Sequence, residues 1–187
     1  MSEYSPEERK QLLTLAHQSI QSQLQGRSLR VQPPSAHLSE LRGAFTTLHL
    51  HGKLRGCIGY VVAHSPLYEA VIDTSSAAAF EDPRFEPVRE DEAADLQVEI
   101  SVLSRMFPIA PEDVEIGRHG LMISQYGRRG LLLPQVPLEW GWDRETFLSQ
   151  TCQKAGLQLD AWKRGAKIQA FTAEVFGETV AEESLKK

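Results

Sequence analysis

Two glycines inside a stretch that otherwise reads as a β-strand constrain this chain more than any other feature. The segment is Leu54-Arg55-Gly56-Cys57-Ile58-Gly59. Glycine weakens strand pairing, so inside a strand it marks a bulge or a point where another backbone comes close. Just upstream, Ala44 to Leu50 alternates and is rich in β-formers, and Gly52-Lys53 supplies a turn. The strand pattern resumes from Leu54 to Val62, which predicts a β-hairpin. A helix follows from Ser65-Pro66, with Leu67, Ala70, Val71, Thr74 and Ala78 on one face and a stop at Asp82-Pro83. Its run Ala77-Ala78-Ala79 is small enough to pack closely on a sheet.

The flanking segments complete an α+β pattern. Ser5-Pro6-Glu7-Glu8 reads as a capping box opening a helix that stops at Gly26. Leu96, Val98, Ile100 and Val102 alternate with polar residues in the clearest strand. Phe107 to Pro111 reads as a loop, Leu121 to Ile123 and Leu131 to Leu133 as short strands, and Pro137 to Gly141 as irregular. Asp143 is expected to cap a third helix ending at Gly156, and Gln169 to Phe176 to form a last strand. Residues 181–187 are expected to be a frayed tail. Strands joined mostly by hairpins, with few dispersed helices, predict α+β with mostly antiparallel sheets in a single domain over 1–187.

Composition limits the function classes. The 187 residues carry 20 Lys and Arg against 25 Asp and Glu, a net charge of −5. That balance argues against a protein that coats nucleic acid or a polybasic membrane surface. The acidic, polar N-terminus lacks the pattern of a signal peptide, and no stretch reads as a membrane helix. Two cysteines make neither a disulfide framework nor a four-ligand zinc site. A cytoplasmic protein with two free thiols and no cofactor or metal is expected; no Walker loop, dinucleotide fingerprint or nucleophile elbow is present.

The chemistry-bearing candidates centre on Cys57. Arg55 is two residues away and shares its strand face unless a bulge intervenes, and a cation beside a thiol favours the reactive thiolate. The functional reading is a reactive Cys57 with Arg55 holding an anion; the structural reading is a small buried residue in a tight strand. Asp82 and Arg84 could line a pocket or pair with each other at the helix end. Glu99 and Ser101 share the polar face of a strand, where Glu99 could act as a general base. His49 and His51 with His64 could hold a metal, but His51 borders the turn and no acidic ligand lies nearby in sequence. His119 is expected in an exposed turn, Arg128 and Arg129 in a solvated one, Trp140, Trp142 and Trp162 as packing anchors, and Cys152 in the core.

Leu54-Arg55-Gly56-Cys57-Ile58-Gly59 resembles the signature hexapeptide of the AMMECR-type domain family, whose prokaryotic members are called AmmeMemoRadiSam system protein A. Gly43 to Leu48, Ala77 to Phe85, Glu99 to Leu103, Leu132 to Val136 and Thr151 to Leu157 resemble further family blocks in the same order. The resemblance spans about residues 12 to 176, and Thr46 stands where the family pattern has valine. It implies a larger and a smaller lobe around a cleft, a functional cysteine carried here onto Cys57, and association with a Memo-like protein and a radical S-adenosylmethionine protein. It implies no particular reaction.

Two readings follow. In the first, the chain is an enzyme or enzyme subunit acting on a small anionic ligand. Cys57 and Glu99 are then catalytic, and Arg55, Gly56, Gly59, Asp82 and Arg84 form the binding site. In the second, it is a non-catalytic adaptor docking on those partners, and the two glycines serve packing alone.

Overall fold

The computed structural model describes residues 2–178, so the tail expected at 181–187 lies outside the described residues. The chain forms two compact units. One comprises the residues up to Leu103 and those from Glu174 onward; the other is Ser104–Ala173.

The first unit begins with helix α1 (Pro6–Leu24). Its capping box forms as expected: Ser5 Oγ accepts the Glu8 N–H at 3.2 Å, and Glu8 accepts the Ser5 N–H at 2.9 Å. The hairpin consists of β1 (Ala44–Leu50) and β2 (Lys53–Tyr60). Helix α2 (Leu67–Phe80) and strand β3 (Leu96–Leu103) follow, and β8 (Ala173–Gly177) closes the sheet in the order β2-β1-β3-β8. Ala44, Thr46 and Leu48 of β1 and Val98, Ile100 and Val102 of β3 point inward and are buried. They pack under Leu12, Ala16 and Ile20 of α1 and Leu67, Val71 and Ala78 of α2. The opposite face carries Phe45, Thr47, His49, Cys57, Gln97, Glu99 and Ser101, all half-buried.

Two boundaries differ from expectation in this unit. The hairpin turn is His51-Gly52, with φ of 50° and 77°, a pair of positive values whose twist matches that of the flanking right-twisted strands. Helix α2 starts without a Ser65 cap. Pro66 precedes it, and the Leu67 N–H is satisfied by the Glu40 carbonyl at 2.9 Å.

The second unit holds a sheet in the order β4-β7-β5-β6, formed by β4 (Phe107–Pro108), β5 (Gly120–Gln125), β6 (Arg128–Leu132) and β7 (Lys167–Phe171). Helix α4 (Arg144–Lys154) lays Phe147, Leu148 and Cys152 on Leu121, Ile123, Ile168 and Ala170. Asp143 caps it as expected, accepting the Thr146 N–H at 2.8 Å.

Five readings are corrected here. Residues 107–111 are not all loop: Phe107 and Pro108 form β4, opposite Ala170 and Gln169 of β7. Residues 137–141 are not irregular: α3 (Val136–Trp140) forms there, since a proline in the first turn suits a helix and Gly141 ends it at φ 64°. The single last strand is two strands, β7 and β8. They are interrupted at Thr172, whose N–H and carbonyl both bond Ser104, each at 2.8 Å. Trp140 is no anchor: it is 71% exposed and stacks on Trp142, whereas Trp142 and Trp162 pack against the core. His119 is buried, not exposed. Its Nδ1 accepts the Glu115 N–H at 3.0 Å, its ring meets the Phe107 ring edge-on, and burial pushes its pKa down.

Among the described residues, no helix is long and apolar enough to cross a membrane. Together the two units make an α+β protein with two antiparallel sheets.

Candidate functional site

The geometry around Cys57 follows from one extra residue. With a two-residue turn, Leu50 pairs with Lys53 and His49 with Leu54. Continued unbroken, that register would set Thr47 opposite Gly56. The register shifts between Leu48 and His49, leaving Arg55 as the bulged residue, and Thr47 then faces Cys57. Bulges re-aim side chains in this way. The pair is of the non-hydrogen-bonded kind, in which side chains come closest: the Cys57 N–H points away from β1, to Asp82. Thr47 Oγ1 accordingly donates to Cys57 Sγ at 3.2 Å. Thr47 also pairs with Glu99 on its other side. Cys57, Thr47 and Glu99 therefore form one row across three strands, on the sheet face opposite the one packed by α1 and α2.

Strand β2 is a sheet edge, and its outward peptide groups need partners. Asp82, just past the end of α2, supplies one. Its carboxylate accepts the Cys57 N–H at 2.9 Å, the Arg84 N–H at 3.1 Å, and the Arg84 guanidinium at 3.0 and 2.8 Å. The Arg84 guanidinium holds the Asp82 carboxyl well below the usual carboxylate range, and the two N–H groups add to this against the opposing effect of burial. Arg84 reaches the Cys57 carbonyl at 3.5 Å while its side chain stays 55% exposed. Asp82 and Arg84 together thus cover both peptide groups of the cysteine.

Arg55 is engaged elsewhere. Its guanidinium donates twice to Glu92, at 3.1 and 3.0 Å, and to the carbonyls of Glu86 and Pro87 at 2.8 and 3.3 Å. It fastens the 86–92 segment to β2, and its pairing holds the Glu92 carboxyl low. The guanidinium that reaches the Cys57 peptide is that of Arg84.

Both signature glycines have steric reasons. A Cβ on Gly56 would lie 2.0 Å from the Ala78 carbonyl oxygen, so α2 presses directly on the strand at its alanine run. A Cβ on Gly59 would lie 2.3 Å from the ring of Phe45, its cross-strand partner. Cys152 is buried, and burial pushes its thiol up. His51 sits in the exposed turn, and His64 bonds the Val62 carbonyl.

The structure thus brings together Cys57, Asp82 and Arg84 and sets Glu99 in the same row two strands away. It adds Thr47 and Glu92, which sequence reading missed. Thr47 becomes legible only once the turn and the bulge are both placed. Glu92 lies in a charged segment with no periodicity to single it out.

An α+β chain whose edge strand presents a cysteine between two close-packed glycines defines a class of protein, and comparison identifies the family. Residues 13–176 match the AMMECR1 family, and the chain belongs to it. It is 42% identical to a protein of Thermococcus onnurineus, over 94% of this chain and 93% of that one. It is 41% identical to Protein MK0488 of Methanopyrus kandleri, over 92% and 89%. Among solved structures, it matches uncharacterized protein PH0010 from Pyrococcus horikoshii with a TM-score of 0.70 and 41% identity, covering 89% of each chain.

Proposed function

We propose that the chain is an enzyme or enzyme subunit, working in a reducing cytoplasm, whose reactive group is the Cys57 thiol. The observation that carries this reading is the hydrogen bond from Thr47 Oγ1 to Cys57 Sγ on a half-buried polar sheet face. A donor on the sulfur fixes its direction and supports negative charge as it develops there. Cys57 serves as nucleophile or covalent carrier. Arg84, exposed beside it, holds a small anionic substrate, and Glu99 handles protons. Asp82, Arg55, Gly56 and Gly59 hold the strand in place around the thiol. The substrate comes from the associated Memo-like and radical S-adenosylmethionine proteins that the family resemblance implies.

Alkylation of the folded protein by iodoacetamide across pH, with each cysteine followed by peptide mass spectrometry, tests the reading. Cys57 is expected to react in the native state while Cys152 stays silent until unfolding. Thr47→Val should change the Cys57 rate at a given pH, and Thr47→Ser should restore it. A Cys57 that reacts only after unfolding overturns the proposal. The adaptor reading then gains, with exposed Leu138 and Trp140 on α3 as its supporting observation.

A further inference from the structure

Net charge hides an uneven distribution. Residues 104–173 hold nine Lys and Arg against seven Asp and Glu; the rest of the chain holds eleven against eighteen. Six of those nine cations lie in two short segments, 124–129 and 154–167, whose one carboxylate is Asp160. The fold gathers these segments at one end of the second sheet. The β5–β6 hairpin turns at Tyr126-Gly127, and Arg128 Nη1 donates to the Gly156 carbonyl at 2.8 Å, tying the hairpin to the loop after α4. Gln125 Nε2 donates to the Arg164 carbonyl at 3.1 Å, tying it to the loop before β7. Ser124 pairs with Arg129 on one side and Lys167 on the other. Those two cations therefore stand on one sheet face, two strand spacings or about 10 Å apart.

We propose that this end of the 104–173 unit is a docking surface for an acidic segment of a partner protein. Lys154, Arg128, Arg129, Lys163, Arg164 and Lys167 are all exposed. Asp160 is already engaged by Arg164 at 2.7 Å, and Lys163 lies over the Trp162 ring. Several cations held this close raise a local positive potential that an external anion relieves. Tyr126, 89% exposed at the turn, adds the aromatic contact that recurs with arginine at binding hot spots. The occupant is a short acidic stretch. The cations are spread over a hairpin and two loops, wider than one small anion can bridge. The acidic remainder of the chain opposes a long, uniformly charged nucleic acid. This surface is independent of Cys57.

Fluorescence anisotropy of the full chain with a fluorescein-labelled dodecapeptide of alternating Glu and Ser tests the inference. Saturable binding is expected in 50 mM salt, weakened at least about tenfold in 300 mM salt, because such contacts are screened. The double variant Arg129→Glu/Lys167→Glu should lower affinity at least about tenfold. Arg129→Gln/Lys167→Gln should fall between it and the parent, and Lys10→Glu/Arg27→Glu, on the other unit, should bind like the parent. Absence of peptide binding, or equal binding by the charge-reversed chain, overturns the inference. So does tighter binding of a twelve-nucleotide single-stranded RNA than of the peptide.

Discussion

Gly56 and Thr46 directly precede Cys57 and Thr47 in the chain but face the helix side of the sheet, and both are decided by α2. At Gly56 a methyl group would meet the backbone carbonyl of Ala78 at 2.0 Å, and a helix backbone yields less readily than a side chain. Gly56→Ala should therefore destabilise the fold by about 2–3 kcal/mol or more, read as a lower urea midpoint. Thr46 is fully buried, and its hydroxyl lies 2.8 Å from Thr74 Oγ1 and 3.2 Å from Ser75 Oγ. Thr74 and Ser75 already donate to the carbonyls of Ala70 and Val71, so Thr46 is the donor in this cluster. Thr46→Val removes a donor and strands none, so its midpoint should move by less than about 1 kcal/mol equivalent. A large loss at Thr46 with tolerance at Gly56 would reverse this account. The glycine pair announced a close approach in the sequence, and the alanine run announced its partner. The hydroxyl cluster was silent, because a lone threonine in a strand pattern looks like a β-former.

At the scale of elements, the hairpin, α1, α2, α4 and the central strand were legible, because each has a period and punctuation, whereas the five-residue α3 is too short to show one. The register was not. Nothing in Leu54-Arg55-Gly56 says which residue is unpaired, yet that one choice turns Arg55 to Glu92 and sets Cys57 opposite Thr47. The edge cap was half-legible: Asp82 and Arg84 read as a pair, but their hold on the Cys57 peptide depends on where α2 ends. That cap makes a pH-dependent prediction. Asp82 has its pKa depressed in the fold, so its contribution is complete above the unfolded value of about 3.9 and is lost as pH falls through the folded one. Asp82→Asn should lower stability by about 1.5–3 kcal/mol at pH 7, the range for charged hydrogen bonds. The gap from the parent should stay level from pH 8 to 5 and narrow below about pH 4. Urea midpoints measured across this range check it; a gap that widens in acid would mean Asp82 is not the stabilising ion.

Across the whole molecule, composition averages away the arrangement. The first unit is closed by residues far apart in the chain: Glu174 accepts bonds from Ser2 Oγ, the N–H groups of Glu3 and Tyr4, and Arg9. Tyr4, held there, stacks on His37 at 4.8 Å, and His37 Nδ1 contacts Glu8 at 2.7 Å. The Glu8 hydrogen bond raises the His37 pKa in spite of burial, whereas burial lowers that of His119 in the other unit. The two histidines therefore act on stability with opposite signs. The His37 contribution is fully present below its unfolded value of about 6.5 and is lost as pH rises through the raised folded one. For His119, whose Nδ1 must stay unprotonated to accept the Glu115 N–H, stability falls as pH drops from about 6.5 toward the lowered value. Hydrogen exchange read by mass spectrometry, corrected for intrinsic rates, should show α1 better protected at pH 5.5 than at pH 8. The 115–125 segment should show the reverse. His37→Gln should flatten only the first trend and His119→Asn only the second. If both regions move together and neither variant separates them, the two histidines do not govern the local pH response, and it must come from charges shared by the whole chain.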